Sequence, residues 1–466
     1  MDEQALQETS SASKGAHTFE RRLTVLSTLA LIMSSTSPTA GVFISMSGVI
    51  QQAGTGAFLA FVGGGIICVA IAYVYAELSS AFPFAGGEYP MIGRVFGPTA
   101  GFAILGLNLV LWLLSPAVGA LGAASYLKGI LPAIPLVPTA LVIIGATTTI
   151  AALNIRTNTL VTGIFLGLEL VVLIILIWLG MRQVERTPLD LLSHPLIHTA
   201  KGTTAATVGS IALGTTIALY AYNGFQLAAY FGEEIRNAPQ RISTVILYAL
   251  GLTVMLEAVP TIAVLLGAPD INVLISSQNP LIDFVARRGG HFLSVVVSAG
   301  VVLAIINSLI VIMLQAGRFL FATGREGIWP SGISRLLVRL SKRFGSPWIA
   351  TIFAGVVAAA SCLFFPLHLL LILIGSGLVV IVPIMCAAAI VGRLNGTTRH
   401  GVYRMPLFPV APAAASLVLG YMAYANWLDT TTGRPSLIAI AVIIALFALY
   451  YLLVLRRRGW VPHIPQ

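Results

Sequence analysis

Charge is scarce in this chain. Only 9% of its 466 residues are charged, while 57% are hydrophobic; an average soluble domain carries about 25% charged residues. So few charges cannot cover a water-exposed surface, so most of the surface must face lipid. Cysteine is scarcer still. Cys68, Cys362 and Cys386 lie in apolar stretches without CxxC spacing. Inert buried thiols are expected, and neither a disulfide framework nor a metal site is implied. The seven histidines are scattered, and neither HExxH nor GxSxG occurs. The usual signatures of a membrane-embedded protease or hydrolase are therefore missing. An enzyme is not expected, nor is a cofactor. No cleavable signal peptide is visible: residues 1–22 are polar, and the first apolar run is long enough to span.

What is present is apolar length. A membrane-spanning helix needs about 20 apolar residues, and twelve stretches qualify, roughly at 24–52, 57–82, 99–127, 136–154, 158–180, 205–232, 241–267, 292–321, 347–365, 367–392, 409–428 and 436–455. The fold class expected is an all-α integral membrane protein. The basic residues give its orientation. With both termini inside, the outer loops hold seven of the 26 Lys and Arg: Lys128, Arg182, Arg186, Lys201, Arg287, Arg288 and Arg434. The other 19 are inside, so the positive-inside rule places both termini in the cytoplasm. The net charge of +10 then reflects topology, and no nucleic-acid partner is implied.

Two spans look broken. The first contains Ser34-Ser35-Thr36-Ser37-Pro38-Thr39-Ala40-Gly41 near its middle. Pro38 removes a backbone donor and Gly41 favours non-helical geometry. The sixth contains Tyr220-Ala221-Tyr222-Asn223-Gly224-Phe225-Gln226, a weaker break without proline. Unwound backbone in hydrocarbon is tolerated only where it is buried or lines a cavity. An odd shift of five spans inverts topology, so the pair suggests two inverted five-helix repeats with a binding site between them. The competing reading is an ordinary proline kink and an ordinary packing glycine. Gly163 and Gly167 form a GxxxG pattern that reads as helix packing.

Three further stretches carry a family resemblance. The first is Ala76-Glu77-Leu78-Ser79-Ser80-Ala81-Phe82-Pro83, continuing through Ala85-Gly86-Gly87-Glu88-Tyr89 to Arg94-Val95-Phe96-Gly97-Pro98. The second is Glu233-Glu234-Ile235-Arg236-Asn237-Ala238-Pro239-Gln240-Arg241. The third runs from Arg318 to Pro330 with Ala322-Thr323-Gly324-Arg325-Glu326-Gly327 at its centre. In this order the chain resembles the amino acid–polyamine–organocation permease superfamily over about residues 20–395. The resemblance implies a LeuT-type fold: a cytoplasmic tail (1–22), a first inverted repeat (23–180), a second (205–393), two peripheral spans (409–455) and a C-terminal tail (456–466). It also implies secondary active transport of a small amino acid or related amine by alternating access.

Carried onto this chain, the backbone contacts of a bound solute fall on Ser37, Thr39, Ala40 and Gly41 of the first break. Tyr220, Tyr222, Asn223 and Gly224 of the sixth span would face them, with Ser115 and Ser376 as further cavity residues. Exposed amides at a half-helix N-terminus suit a carboxylate, and exposed carbonyls suit an ammonium or a cation; an α-amino acid presents both groups. A side chain at Gly41 is expected to block that backbone.

Acids inside the membrane are functional candidates. Glu77 is expected in an inner-gate salt bridge with Arg94 or Arg241. Glu169 and Glu257 could carry a coupling proton, or could be plain helix contacts. Asn307 and Ser308 could instead ligate sodium with carbonyls of the first break. Gln226 stands where some relatives have Glu, which argues against a polyamine, and the fifth span lacks the Lys that other relatives place near Thr159. An exchanger or polyamine carrier is the alternative within the class; a channel or membrane enzyme fits the paired breaks less well.

Overall fold

The computed structural model describes residues 23–83, 87–153, 159–199, 202–232, 235–341 and 346–460, with residues 159–164 as backbone only. The expected tail 1–22, Ala85 and Gly86 of the first signature, Glu233 and Glu234 of the second, Gly163 as a side-chain position and the tail end from 461 lie outside the described residues.

With no water to satisfy N–H and C=O groups, apolar backbone must bond within itself, and helix is the local solution. The chain runs α1 (Val25–Thr36), a turn at Pro38–Ala40, a π-helical segment Gly41–Met46, α2 (Ser47–Ala53), α3 (Ala57–Ala81), the short α4 (Glu88–Phe96), α5 (Pro98–Ile130), α6 (Leu136–Ala152) and α7 (Thr159–Arg182). A polar connection follows, with α8 (Pro188–Ser193) and an antiparallel hairpin of β1 (Leu196–Thr199) and β2 (Gly202–Ala205). Next come α9 (Val208–Ala221), a 3₁₀ run Phe225–Phe231, α10 (Ala238–Gly267), α11 (Ile271–Ser276) and α12 (Pro280–Arg325), kinked at Gly290 (φ 83°). α13 (Ser331–Leu337), α14 (Trp348–Phe364), α15 (Leu367–Leu394), α16 (Val410–Leu428) and α17 (Gly433–Tyr450) complete it. The hairpin departs from the all-helical expectation. Each apolar stretch read from the sequence carries helix, and among the described residues seven helical runs are long and apolar enough to cross a membrane.

Local sequence sets the helix starts. Thr24 caps α1 reciprocally with Ser27, and Thr207 caps α9 with Ser210, each satisfying amides that the first turn leaves free. Packing inverts the pattern of a water-soluble protein. Large apolar side chains such as Ile66 (69%), Leu417 (76%) and Phe292 (82%) are exposed, while Ser37, Thr39, Glu77, Glu257 and Ser376 are wholly buried. Lipid satisfies the first set; the second must find partners inside. α5 sits centrally, packed against α12, α14, α15 and α17. The α17 run lies at the edge, with 11% of its most apolar stretch buried. Leu23 pairs in parallel with Ile235, and Arg236 N–H donates to Leu23 O at 3.0 Å. That bridge ties the entry of α1 to the exit of the 3₁₀ run.

Candidate functional site

The first interruption is built at Ser37. Its N–H closes α1 on Met33 O at 3.1 Å, but its own backbone adopts φ 45°, ψ 88°, a left-handed geometry uncommon for a non-glycine residue. Pro38 opens the next turn where no backbone donor is needed, and Gly41 N–H returns to Ser37 O at 3.1 Å. Such backbone persists only when its surroundings hold it. Here α7 does so: Ser37 Oγ donates to Glu169 Oε2 at 2.9 Å and Thr39 Oγ1 to the Glu169 main-chain oxygen at 3.2 Å.

The second interruption follows α9. Tyr222 and Asn223 N–H groups close on Ala218 O and Tyr220 O at 3.0 and 3.1 Å, and the helix gives way to a turn at Gly224 before the 3₁₀ run. Glycine is required there by close approach, because a Cβ would lie 2.1 Å from Thr36 Cγ2. The two breaks therefore meet, Thr36 of the first against Gly224 of the second.

A cavity of about 150 Å³ lies beside this junction. Among the candidates it is lined by Ala40, Gly41, Ser115, Tyr220, Asn223, Gln226 and Ser308. The Tyr220 and Ser115 hydroxyls are 3.3 Å apart, and Ser308 Oγ donates to Ser35 O at 3.3 Å. The other candidates are turned elsewhere. Ser37 and Thr39 are engaged with Glu169. Tyr222 is fully buried and donates to Phe61 O at 3.0 Å. Ser376 accepts from Asn426 Nδ2 at 2.9 Å. Tyr222 and Ser376 thus lie outside the cavity lining: each faces a neighbouring helix. Asn307 is buried on α12 outside the lining, so it does not join Ser308 there.

The acids occupy three distinct settings. Glu169 supports the first break, as above. Glu257 of α10 lies behind that break. It is wholly buried, and neither carboxyl oxygen has a hydrogen-bond partner among the described residues. A Cβ on Gly41 would come within 2.2 Å of Glu257 Oε1, so a side chain there would strike Glu257 first, a different obstruction from blocked backbone. Glu77 ends α3. It accepts from Arg393 Nε at 2.6 Å and Nη2 at 2.5 Å, from Met405 N–H at 2.9 Å, and faces Arg404 Nη1 at 3.7 Å. These replace the expected Arg94 and Arg241. The end of α15 brings the Arg393 guanidinium fork alongside the carboxylate, where two parallel bonds form.

The cavity also takes Glu88, Asn108, Trp112, Tyr230 and Gln315, which the sequence reading did not single out. Their signals are weak. Glu88 sits in a loop signature, outside any apolar stretch. Trp112 and Tyr230 look like packing aromatics. Asn108 and Gln315 are lone polar residues inside apolar helices, the one cue that was available.

With this geometry in view, the family model described as amino acid permease matches residues 23–453. The chain is 24% identical over 433 residues to a methylthioribose transporter of Bacillus subtilis (strain 168), covering 88% of this chain and 89% of that one. It is 22% identical over 434 residues to a branched-chain amino acid permease of the same organism, covering 89% and 90%. To the Asc-type amino acid transporter 1 of Homo sapiens it is 28% identical over 309 residues, 64% of this chain and 58% of that one. A permease with several helices long enough to cross a bilayer is a multi-pass membrane protein, and its work is transport rather than catalysis. The chain belongs to the amino acid permease family.

Proposed function

We propose that this permease carries a small amino acid or related amine across the cytoplasmic membrane by alternating access, driven by a proton gradient. The meeting of two broken helices at one cavity is the observation that carries this reading. Half-helix ends there offer amides and carbonyls to the two charged groups of an amino acid. The arrangement proposed is twelve spans, with inverted repeats over 23–180 and 205–393, peripheral spans over 409–455 and both termini cytoplasmic. The distribution of Lys and Arg, 19 inside against seven outside, supports that orientation. Relatives are named for branched-chain and cationic amino acids, so the side chain carried is not set by kinship.

Glu257 is the proposed proton carrier. Its carboxyl is unpartnered among the described residues, abuts the first break at Gly41, and has Cys68 of α3, Tyr220 of α9 and Tyr222 just after α9 as its titratable neighbours. Glu169 is held by Ser37 and serves the break as a brace.

The test is uptake and counterflow in proteoliposomes with a panel of amino acids and amines, with and without proton and sodium gradients. The reading expects saturable uptake, counterflow, and stimulation by an inward proton gradient. Flux without saturation or counterflow would make it a channel. Stimulation by sodium alone would move the coupling role to Ser308 and the carbonyls of the first break.

A further inference from the structure

The cavity has apolar walls, with Ile44, Leu309 and Ile374 among them, and a set of hydrogen-bond acceptors. Glu88, the first residue of α4, is 3% exposed and lines it. Tyr75 Oη donates to its Oε1 at 2.9 Å; Asn108 Nδ2 and Tyr230 Oη donate to its Oε2 at 3.0 and 2.7 Å. All three are neutral donors, and among the described residues no Lys, Arg or His lines the cavity. Two more acceptors line it: the Gln226 and Gln315 Oε1 atoms are both buried without a hydrogen-bond partner.

Local geometry puts the carboxylate there deliberately. Gly87 has φ 67°, and a Cβ at that position would lie 2.3 Å from Tyr230 Cζ. The glycine thus lets the start of α4 press against the Tyr230 ring and turn Glu88 into the cavity. Trp112 stands edge-on to Tyr230 with centroids 6.1 Å apart, an aromatic wall of the kind that favours a cation. A buried carboxylate without a counter-charge and carbonyl oxygens without donors are costly to keep. A ligand bearing positive charge and several N–H groups offsets both; an aliphatic side chain offsets neither.

We infer that Glu88, Gln226 and Gln315 form a subsite for an ammonium or guanidinium, so that the solute carried is a cationic amino acid or a diamine. This rests on the reading of the cavity as the transport site. It also reverses the argument drawn from Gln226: the negative charge missing from the broken sixth span is supplied by α4.

The experiment compares L-lysine, L-arginine, 1,4-diaminobutane and L-leucine as substrates of the purified full-length protein in proteoliposomes, and as stabilisers of its melting in detergent. The wild type should take up and be stabilised by the three cationic compounds in preference to leucine. Glu88→Gln keeps the size of the side chain while removing its charge. It should lower kcat/KM for lysine at least tenfold and shift the preference between lysine and leucine by a similar factor. Adding Gln226→Glu to that variant should restore lysine uptake, a rescue that a purely structural Glu88 would not show. Leucine carried with the cationic compounds excluded overturns the subsite alone, as does an equal loss for lysine and leucine in Glu88→Gln. Should no amino acid or amine be carried or stabilise the protein, the transport reading falls and the subsite with it. The wild-type melting series needs no variant to fold.

Discussion

The two interruptions reach the same junction by different means. At the first, Pro38 and the left-handed Ser37 break the helix, and Glu169 braces it from α7. The second has no proline, and among the described residues no acid bonds to Tyr222, Asn223 or Gly224. The helix gives way at Gly224, and what fixes that residue is the absence of space beside Thr36. One break is thus made by its own residues and held by hydrogen bonds, the other by close approach of backbone. The first should answer both to a loosened polar brace and to a side chain added at Gly41, whereas the second should answer to volume alone.

The largest effect should come from crowding the junction. Gly224→Ala forces a methyl group against Thr36 and should reduce uptake at least a hundredfold, measured as initial rate per folded protein. Thr36→Ser removes the Cγ2 that causes the clash, so the double variant should recover most of the rate. Failure to recover would break the idea that volume alone sets the second break.

Of the same size is Gly41→Val, which drives a side chain into Glu257 and should all but abolish uptake while the protein still elutes as a monodisperse species. Glu257→Gln is its electrostatic counterpart. It should leave counterflow intact and remove stimulation by a proton gradient, whereas Glu169→Gln should weaken both by a few-fold because it loosens the brace on Ser37. If both variants keep normal gradient dependence, neither acid carries the proton.

Away from both breaks, Arg393→Leu leaves Glu77 buried without its main partner. Losing one member of such a pair costs about 3–5 kcal/mol, read as a fall in melting temperature with the substrate preference of the surviving protein unchanged.

The smallest effect lies in the link between α16 and α17. Burial alone would raise the Asp429 carboxyl, but hydrogen bonds from Thr431, Thr432 and Gly433 outweigh it and hold it down at about 2. A depressed value means that its stabilising contribution is present above the unfolded value near 3.9 and is lost as pH falls through about 2. The melting difference between wild type and Asp429→Asn should therefore be small, constant from pH 7 to about pH 5, and vanish on further acidification. Because the group is half-buried and does not line the cavity, it serves as the baseline against which the junction variants are compared.

Much of the fold was legible beforehand. Apolar runs longer than a bilayer is thick dictate helices, and Pro38 and Gly224 marked where two of them would fail. The partners of those marks were not legible. Nearness in sequence or signature suggests Arg94 or Arg241 as the partner of Glu77; the structure pairs it with Arg393 and Arg404, more than 300 residues away. Tyr222 and Ser376 sit at the right height in their helices but on the wrong face, since one residue along a helix turns a side chain by about 100°.

By itself, then, the sequence determined that the chain lives in lipid, that it is helical, and that two helices are interrupted. Composition and local backbone chemistry act over a few residues, and those act the same wherever the segment ends up. Tertiary structure alone decided that the breaks touch, that Glu257 lies behind the first and Glu88 opens onto the cavity, and which polar groups keep free acceptors. Those facts depend on distances between segments far apart in the chain, and in a lipid-embedded bundle packing sets those distances.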